Sequence, residues 1–390
     1  MIAGKTILCL ASGYDAPPTS KHHVMHLLAR DNVVLWVNYH ASRKPSATAS
    51  DGSYIVRKLA EVAGGLQRRR PSLFVLTPLV LPLPGALWAR RANRVLLIAP
   101  IRRALAAVRN GPLQIWSFTP DVAYALGHFA EESVVYYCVD DHASFSGYDR
   151  VQVLRDEEEL CRRSDLVVTT SMALQEAKVP LNPNTVLLPH GVDYGHFSRA
   201  LSADLPEPAD LAGIPRPRLG FFGLIRDWVD LDLLAAVARR RADWHFVLLG
   251  DSTVDLSTYR PLANMHFLGR KPYEQLPAYC RGFDVGLIPF QVNELTRAVN
   301  PIKLREYLAA GLPVVSTPMP EVRLYERLVA VADGEDEFEA AIRRALDGGP
   351  SGRVDRSRAM AEESWPAKLE RLHQRLVSAR GAEAKEAALP

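Results

Sequence analysis

What most limits the fold of this chain is the order of its apolar runs. Short β-rich stretches alternate with amphipathic helical stretches, and the alternation stops and restarts once. Strands are expected at Thr6–Leu10, Val33–Val37, Leu113–Trp116, Val134–Val139, Leu166–Thr169 and Thr185–Leu188. After the passage ADLPEPADLAGIPRPRLG they recur at Arg218–Phe222, His245–Leu249, His266–Leu268, Val285–Pro289, Pro313–Ser316 and Val329–Val331. Between them lie helical stretches such as Lys21–Ala29, Gln152–Arg163, Leu231–Arg240 and Glu274–Arg281. Strands alternating with helices build parallel sheets covered on both faces. Repeated proline denies regular pairing and marks a boundary. At 390 residues the chain also exceeds what one core usually serves. The expectation is an α/β protein with two Rossmann-like parallel-sheet domains, 1–195 and 216–355, joined by a linker at 196–215. The periodic leucines of ESWPAKLERLHQRLVSARG add a packed helix at 356–380.

Charge is spread unevenly. Residues 1–110 hold 16 Lys/Arg against 4 Asp/Glu, whereas 111–390 hold 31 against 40. Such asymmetry suits an anionic partner of the N-terminal part. The four cysteines form no CxxC pair, so neither a zinc site nor a disulfide framework is indicated and a reducing cytoplasm is the expectation. MIAGKTILCLASGYD reads as a first strand, because a signal peptide needs a longer apolar region. Phe74 to Ala89 is apolar but short of a spanning helix and broken by Pro78, Pro82 and Pro84, which makes it a loop or surface hairpin. From Val95 onward an amphipathic basic helix is expected. The arginines of 68–109, interleaved with apolar residues, fit an anionic leaflet. Nucleic acid is not expected, since no recognised module or aromatic stacking set accompanies the charge.

The richest local pattern is NPIKLREYLAAGLPVVST, 300–317. Asn300 can cap a helix whose first residue is Pro301, and Gly311 can end it. The unpaired N–H groups at such a helix start attract an anion, and Lys303 adds a full charge there. Glu306 projects on the same side one turn on and can accept hydrogen bonds from two vicinal hydroxyls. A phosphate followed at one helical turn by a diol describes the diphosphate and ribose of a nucleotide. A capped surface helix with an i,i+3 ion pair is the plainer alternative.

This stretch resembles the glutamate-containing donor motif of GT-B glycosyltransferases, in particular the family 4-like enzymes of bacterial polysaccharide and cell-envelope assembly. Further segments agree in order: VVYYCVDDHASFSG, SDLVVTTS, LLPHGVDYGHF, LGFFGLIRDWVDLDLL, FVLLGD and MHFLGRKPYEQLPAYCRGFDVGLIPF. The resemblance implies two domains facing across a cleft, with the final helix, including Trp365, crossing back onto the first. It implies transfer of a hexosyl group from a UDP- or GDP-sugar to a hydroxyl of a saccharide or lipid-linked acceptor. Donor contacts carry over to Gly223, Arg226, Arg270, Pro272, Asn300, Pro301, Lys303 and Glu306, with the backbone of 270–273 about the base. Gly13 and Asp15 fall in the loop bordering acceptor and phosphates, and His190 and Gly191 at the hinge. No cofactor or metal is implied, because Lys303 and helix N-termini can stabilise the leaving diphosphate. One departure stands out. The family's usual first acid, eight residues before the glutamate, is here Ala298, with Glu294 and Thr296 out of register. That leaves the retaining outcome of the family open.

Deprotonating an acceptor hydroxyl calls for a base at the rim of the first sheet. Asp140, Asp141 and His142 are the candidates; for an inverting outcome Asp140 comes first and His142 second, and because adjacent residues of an extended chain point apart, at most one of the two aspartates faces the substrate. A capping role for either aspartate is the competing view. His22 and His26 stand four apart without a third metal ligand. Asp230 and Asp232 resemble a DxD pair but sit at a helix start, where acids suit the dipole. A nucleotide-sugar epimerase or hydrolase and a non-catalytic nucleotide-binding relic are the alternatives. A NAD-dependent dehydrogenase is disfavoured, because no GxGxxG follows the first strand. The expected place is the cytoplasm, peripheral to the inner membrane's cytoplasmic face.

Overall fold

The computed structural model describes residues 2–39, 60–81 and 87–386. The chain divides into two compact units, one of residues up to 189 with those from 369 on, the other 190–368.

The first unit is built on β1 (Thr6–Ala11), β2 (Val33–Asn38), β3 (Leu66–Arg70), β4 (Leu73–Leu76), β5 (Leu113–Ser117), β6 (Glu131–Cys138), β7 (Leu166–Thr169) and β8 (Thr185–Leu187). They form one sheet in the order β3-β4-β2-β1-β5-β6-β7-β8, parallel except for the β3–β4 hairpin. All six residues of β1 are buried, as expected of a strand covered on both faces. The order reverses between β1 and β5, so the loops leaving these strands frame the crevice where such sheets place ligands.

The segment expected as a loop or hairpin from Phe74 to Ala89 divides differently. Residues up to Leu76 belong to β4, an inner strand parallel to β2, and a helix begins at Leu87. Residues 82–86 lie outside the described residues. The arginines of β3 are exposed on the sheet edge, where charge blocks further pairing. The basic helix runs Leu87–Val108, starting before Val95 and continuing through Pro100.

The second unit holds β9 (Arg218–Phe222), β10 (His245–Leu249), β11 (Met265–Phe267), β12 (Val285–Ile288), β13 (Val314–Ser316) and β14 (Val329–Val331). They form an all-parallel sheet in the order β11-β10-β9-β12-β13-β14. This is the doubly wound order, with its switch point between β9 and β12. The Pro-rich passage expected as a linker packs within this unit. Leu211 lies in its core, Arg218 pairs with Glu207, and Lys271 meets Asp210 at 2.6 Å. Proline bars ladder pairing but not side-chain burial.

Two glycines let the loops leaving β9 and β10 touch. Gly223 has φ +138° and Gly250 φ +150°, and a Cβ on Gly250 would fall on the Gly223 carbonyl oxygen. Both the backbone conformation and the contact therefore exclude a side chain. Gly250→Ala should destabilise the protein by on the order of 2–4 kcal/mol. Urea unfolding followed by circular dichroism measures this; a midpoint equal to that of the wild type would contradict the packing described.

Candidate functional site

The helix Ile302–Ala309 starts in the loop after β12 and lies against the switch point of the second sheet. Two contacts of Tyr307 hold it there: its hydroxyl accepts the Phe222 N–H at 3.0 Å, and its ring meets that of Phe222 edge-on. Gly311, with φ +80°, ends the helix as expected. The N-terminus differs from expectation by one residue. Pro301 occupies the cap position, no side chain bonds to the first turn, and Asn300 is not the cap. The Asn300 amide is instead buried, donating to Glu321 at 2.6 Å and accepting from Arg305 at 2.7 Å. A prolyl cap leaves the leading N–H groups of the helix without a side-chain acceptor, which preserves their pull on an anion.

Lys303 extends from that first turn over Gly223. A Cβ at Gly223 would collide with the lysine Cε, and its Nζ lies 5.9 and 6.0 Å from the ring centres of Phe221 and Phe290. The ammonium is thus seated between the ends of β9 and β12. One turn on, Glu306 is 5% exposed, and among the described residues no hydrogen bond reaches its carboxylate. Burial raises its pKa to about 7, against the opposing charge of Lys303 and with a smaller push from Asp193. A buried carboxylate with unused acceptors is suited to hydroxyl donors.

The 270–273 loop flanks this group. Arg270 and Pro272 are exposed. Tyr273 stacks on His196 at 4.4 Å and 12°, and its carbonyl lies 2.9 Å from the His196 Nε2. Glu306 and Asp193 both bear on the Tyr273 hydroxyl, whose pKa burial drives well above the usual range. Arg226 stands over Trp228 at 5.0 Å, and its buried Nε–H finds no acceptor among the described residues. Ala298 is itself buried. The Thr296 hydroxyl is used inside its own turn by Asn293 and the Gln291 carbonyl, and Glu294 is exposed. Gly191 packs so closely on Trp365 that any Cβ would strike the indole, and His190 lies 6.0 Å from the same ring. Asp230 accepts the Leu233 N–H at 2.9 Å and so caps the helix Leu231–Arg240, whereas Asp232 accepts the Tyr259 hydroxyl at 2.9 Å.

In the first unit the two aspartates separate. Asp141 is a cap, accepting from Ala143 N–H and from the Ser144 hydroxyl. Asp140 is half-buried, and its carbonyl lies 3.0 Å from His142 Nδ1. Gly13 has open space where a Cβ would stand. Asp15 turns to Arg69 at 3.0 Å, so it serves a surface ion pair. His22 uses both ring nitrogens in the protein, one at Tyr14 O and the other at Thr19 N–H, and burial pulls its pKa to about 3.

Lys21 escaped the sequence reading. It stands in the first turn of the helix Ser20–Leu28, donates to Ser12 in the loop leaving β1, and is held below the usual lysine range by burial, with Cys9 and Asp140 opposing. A signal was present: a cation in the first turn of a helix opposes the dipole, so something else must keep it there.

Residues 216–348 match the family described as Glycosyl transferases group 1. A Bacillus subtilis (strain 168) protein assigned to teichuronic acid biosynthesis, the glycosyltransferase TuaH, is 28% identical over 222 residues, 53% of this chain and 55% of that protein. The chain thus aligns with about half the length of this relative. Sucrose-phosphate synthase of Thermosynechococcus elongatus superposes with a TM-score of 0.68 at 15% identity, over 96% of this chain and 100% of that one. Anabaena HepE in complex with UDP-glucose gives 0.64 at 15%, again over 96% and 100%.

A carboxylate whose folded pKa lies above its unfolded value costs stability as pH rises from about 4.5 through about 7. Glu306→Gln should therefore unfold later than wild type at pH 8, by on the order of 1–3 kcal/mol, and match it below pH of about 4.5. Melting curves across that range check this; a gain that persists at low pH would point elsewhere.

Proposed function

We propose, for a chain that has the GT-B fold and carries a glycosyl transferases group 1 domain at residues 216–348, that the second unit binds a nucleotide-diphosphate sugar and the protein transfers its hexosyl group to an acceptor hydroxyl. One observation carries the reading: Lys303 seated over Gly223 at the switch point, with the unsatisfied carboxylate of Glu306 one turn on. The diphosphate lies against the N-terminus of the helix Ile302–Ala309, the Lys303 ammonium and the Gly223 backbone. Glu306 accepts from the two ribose hydroxyls, and the 270–273 backbone borders the base. As the glycosyl bond breaks, negative charge grows on the departing diphosphate, where a fixed cation and fixed N–H dipoles meet it without reorganising. Arg226 supplies further positive charge beside this loop.

Of the three acceptor-base candidates Asp140 is favoured, because Asp141 is spent on its turn. Lys21 stands in electrostatic reach of that carboxylate, which opposes the lowering of the lysine pKa by burial, and a carboxylate at this rim is suited to take the proton. UDP is favoured over GDP by the HepE complexes with UDP and UDP-glucose. Cell-envelope glycan is the favoured product class, supported by the teichuronic acid assignment of the Bacillus relative. Among the described residues no helix is long and apolar enough to cross a membrane. On the helix Leu87–Val108, however, Trp88 and Val95 are 62% and 67% exposed beside exposed Arg91, Arg94 and Arg102. That face suits docking on the anionic cytoplasmic leaflet, where a lipid-linked acceptor would be presented. Ala298 favours a second reading, a binder of nucleotide that transfers nothing; donor consumed only when acceptor is present separates transfer from this and from donor hydrolysis.

A screen of UDP- and GDP-sugars by thermal shift tests the core of the proposal. Ligand at about 100 times its dissociation constant stabilises by roughly 2.7 kcal/mol. No shift with any of them would overturn it. Lys303→Ala should lose at least about 100-fold in turnover with a melting temperature near that of wild type; equal loss of both would mark an ordinary helix residue. Because two hydroxyl donors favour the ionised carboxylate, affinity for UDP-glucose should rise between pH 6 and 8 in wild type and stay flat in Glu306→Gln. Trp88→Ala should weaken binding to phosphatidylglycerol vesicles in a sedimentation assay while leaving UDP-glucose affinity unchanged.

A further inference from the structure

The helix that carries Lys303 and Glu306 also carries Arg305, a cation 1% exposed that the donor site does not use. Its guanidinium spends its donors in three directions: on Asn300 Oδ1 at 2.7 Å, on the Tyr325 hydroxyl at 2.7 Å and on Glu363 at 3.3 Å. Glu363 receives a second cation, Lys368, at 2.6 Å. Burial alone would raise the Glu363 pKa, but Lys368 and Arg305 together hold it below the usual carboxylate range. Lys368 is the last residue of the second unit. The segment that enters this unit is tied to the same place, since Val192 N–H donates to Glu363 O at 3.0 Å and Trp365 N–H to Val192 O at 3.1 Å. Within the second unit, entering chain, leaving chain and donor helix therefore converge on one ionic knot, in which Arg305 and Lys368 are buried and Glu363 half-buried.

We infer that Arg305 is a positioning residue: it sets the rotation of the helix Ile302–Ala309 and couples that rotation to the 361–368 segment by which the chain leaves the unit. The inference rests on the donor reading above. Its physical basis is the helix itself. Successive residues are about 100° apart, so fixing Arg305 fixes the directions of Lys303 and Glu306 as well. A rotation of about 20° moves a side-chain tip that stands about 6 Å from the axis by about 2 Å. That is enough to take an ammonium off a phosphate. The planar fork of arginine is needed because one group must satisfy three acceptors at once, which a lysine cannot do from a single nitrogen at these separations. Asn300 is drawn into the knot for the same purpose, since it joins the residue before the cap to Arg305 and, through Glu321, to the next helix.

The test compares full-length wild type, Arg305→Lys, Glu363→Gln, the double variant and Glu306→Ala. UDP binding is measured by calorimetry, and amide exchange of 302–309 and 361–368 is followed without ligand. The expected result for Arg305→Lys is a UDP affinity about tenfold weaker in a protein that still folds, with a lowered melting temperature because buried partners are left unpaired. Exchange should accelerate together in 302–305 and 361–365 and stay as in wild type in the helix Leu231–Arg240. Glu363→Gln should reproduce both changes, and the double variant should lose little more than the worse single one. UDP affinity within twofold of wild type in Arg305→Lys overturns the inference, as does faster exchange confined to one of the two segments. Should wild type itself fail to bind UDP, the donor reading falls while the exchange measurement still decides the coupling. Glu306→Ala should lose UDP and leave exchange unaltered, which keeps loss of contact distinct from loss of position. If Arg305→Lys does not fold, Glu363→Gln and Tyr325→Phe carry both measurements.

Discussion

The ammonium of Lys303 rests on the backbone of Gly223, and most of what is distinctive about the second unit serves to make that contact possible. The strand order turns at β9 and β12, which opens a crevice above their ends. Gly223 and Gly250 let two strand-end loops approach so closely that no side chain fits between them. Tyr307 pins the helix from below through the Phe222 N–H. Each device is local, and together they place a full charge and an uncapped helix start at one point. An anion bound there meets dipoles already aligned, so little has to be reorganised when its charge grows.

Electrostatics in the two units take different forms. In the second, a carboxylate is buried beside a lysine with its acceptors unspent, a costly arrangement that a ligand with paired hydroxyls would relieve. In the first, a lysine stands at a helix start against the dipole, held by Ser12 and under the influence of Asp140. Buried ion pairs elsewhere, such as Lys178 with Glu157 at 2.7 Å, have found their partners within the fold and serve packing. At the candidate site an unsatisfied buried carboxylate coincides with a lysine and a helix start at the switch point of the sheet.

Much of the fold was legible because doubly covered strands write themselves as continuous apolar runs. Arg218–Phe222, His245–Leu249 and Val329–Val331 have the bounds their composition suggests. β3 was not legible, since an edge strand of arginines carries no apolar signal, and β4 was hidden in a proline-bearing run. At the site, Lys303, Glu306 and Gly311 could be read from spacing along one helix. Asn300, Asp15 and Asp141 could not. Each has a side chain whose obvious use was overtaken by a neighbour distant in sequence or by its own turn: Glu321 for Asn300, Arg69 for Asp15, Ser144 for Asp141.

By itself, then, the sequence determined the alternation of strands and helices, the restart of that alternation, and the presence of a cation and an acid on the first turns of one helix. These are properties of period and order along the chain, set by backbone geometry that repeats wherever the residues recur. The tertiary structure decided that Gly223 would lie beneath Lys303, that Glu306 would be buried with no hydrogen-bond donor among the described residues, that the Pro-rich passage would join the second core, and that Arg305 would meet Glu363. Those outcomes depend on which distant groups compete for each donor, acceptor and void, and that competition is resolved only when the chain is packed.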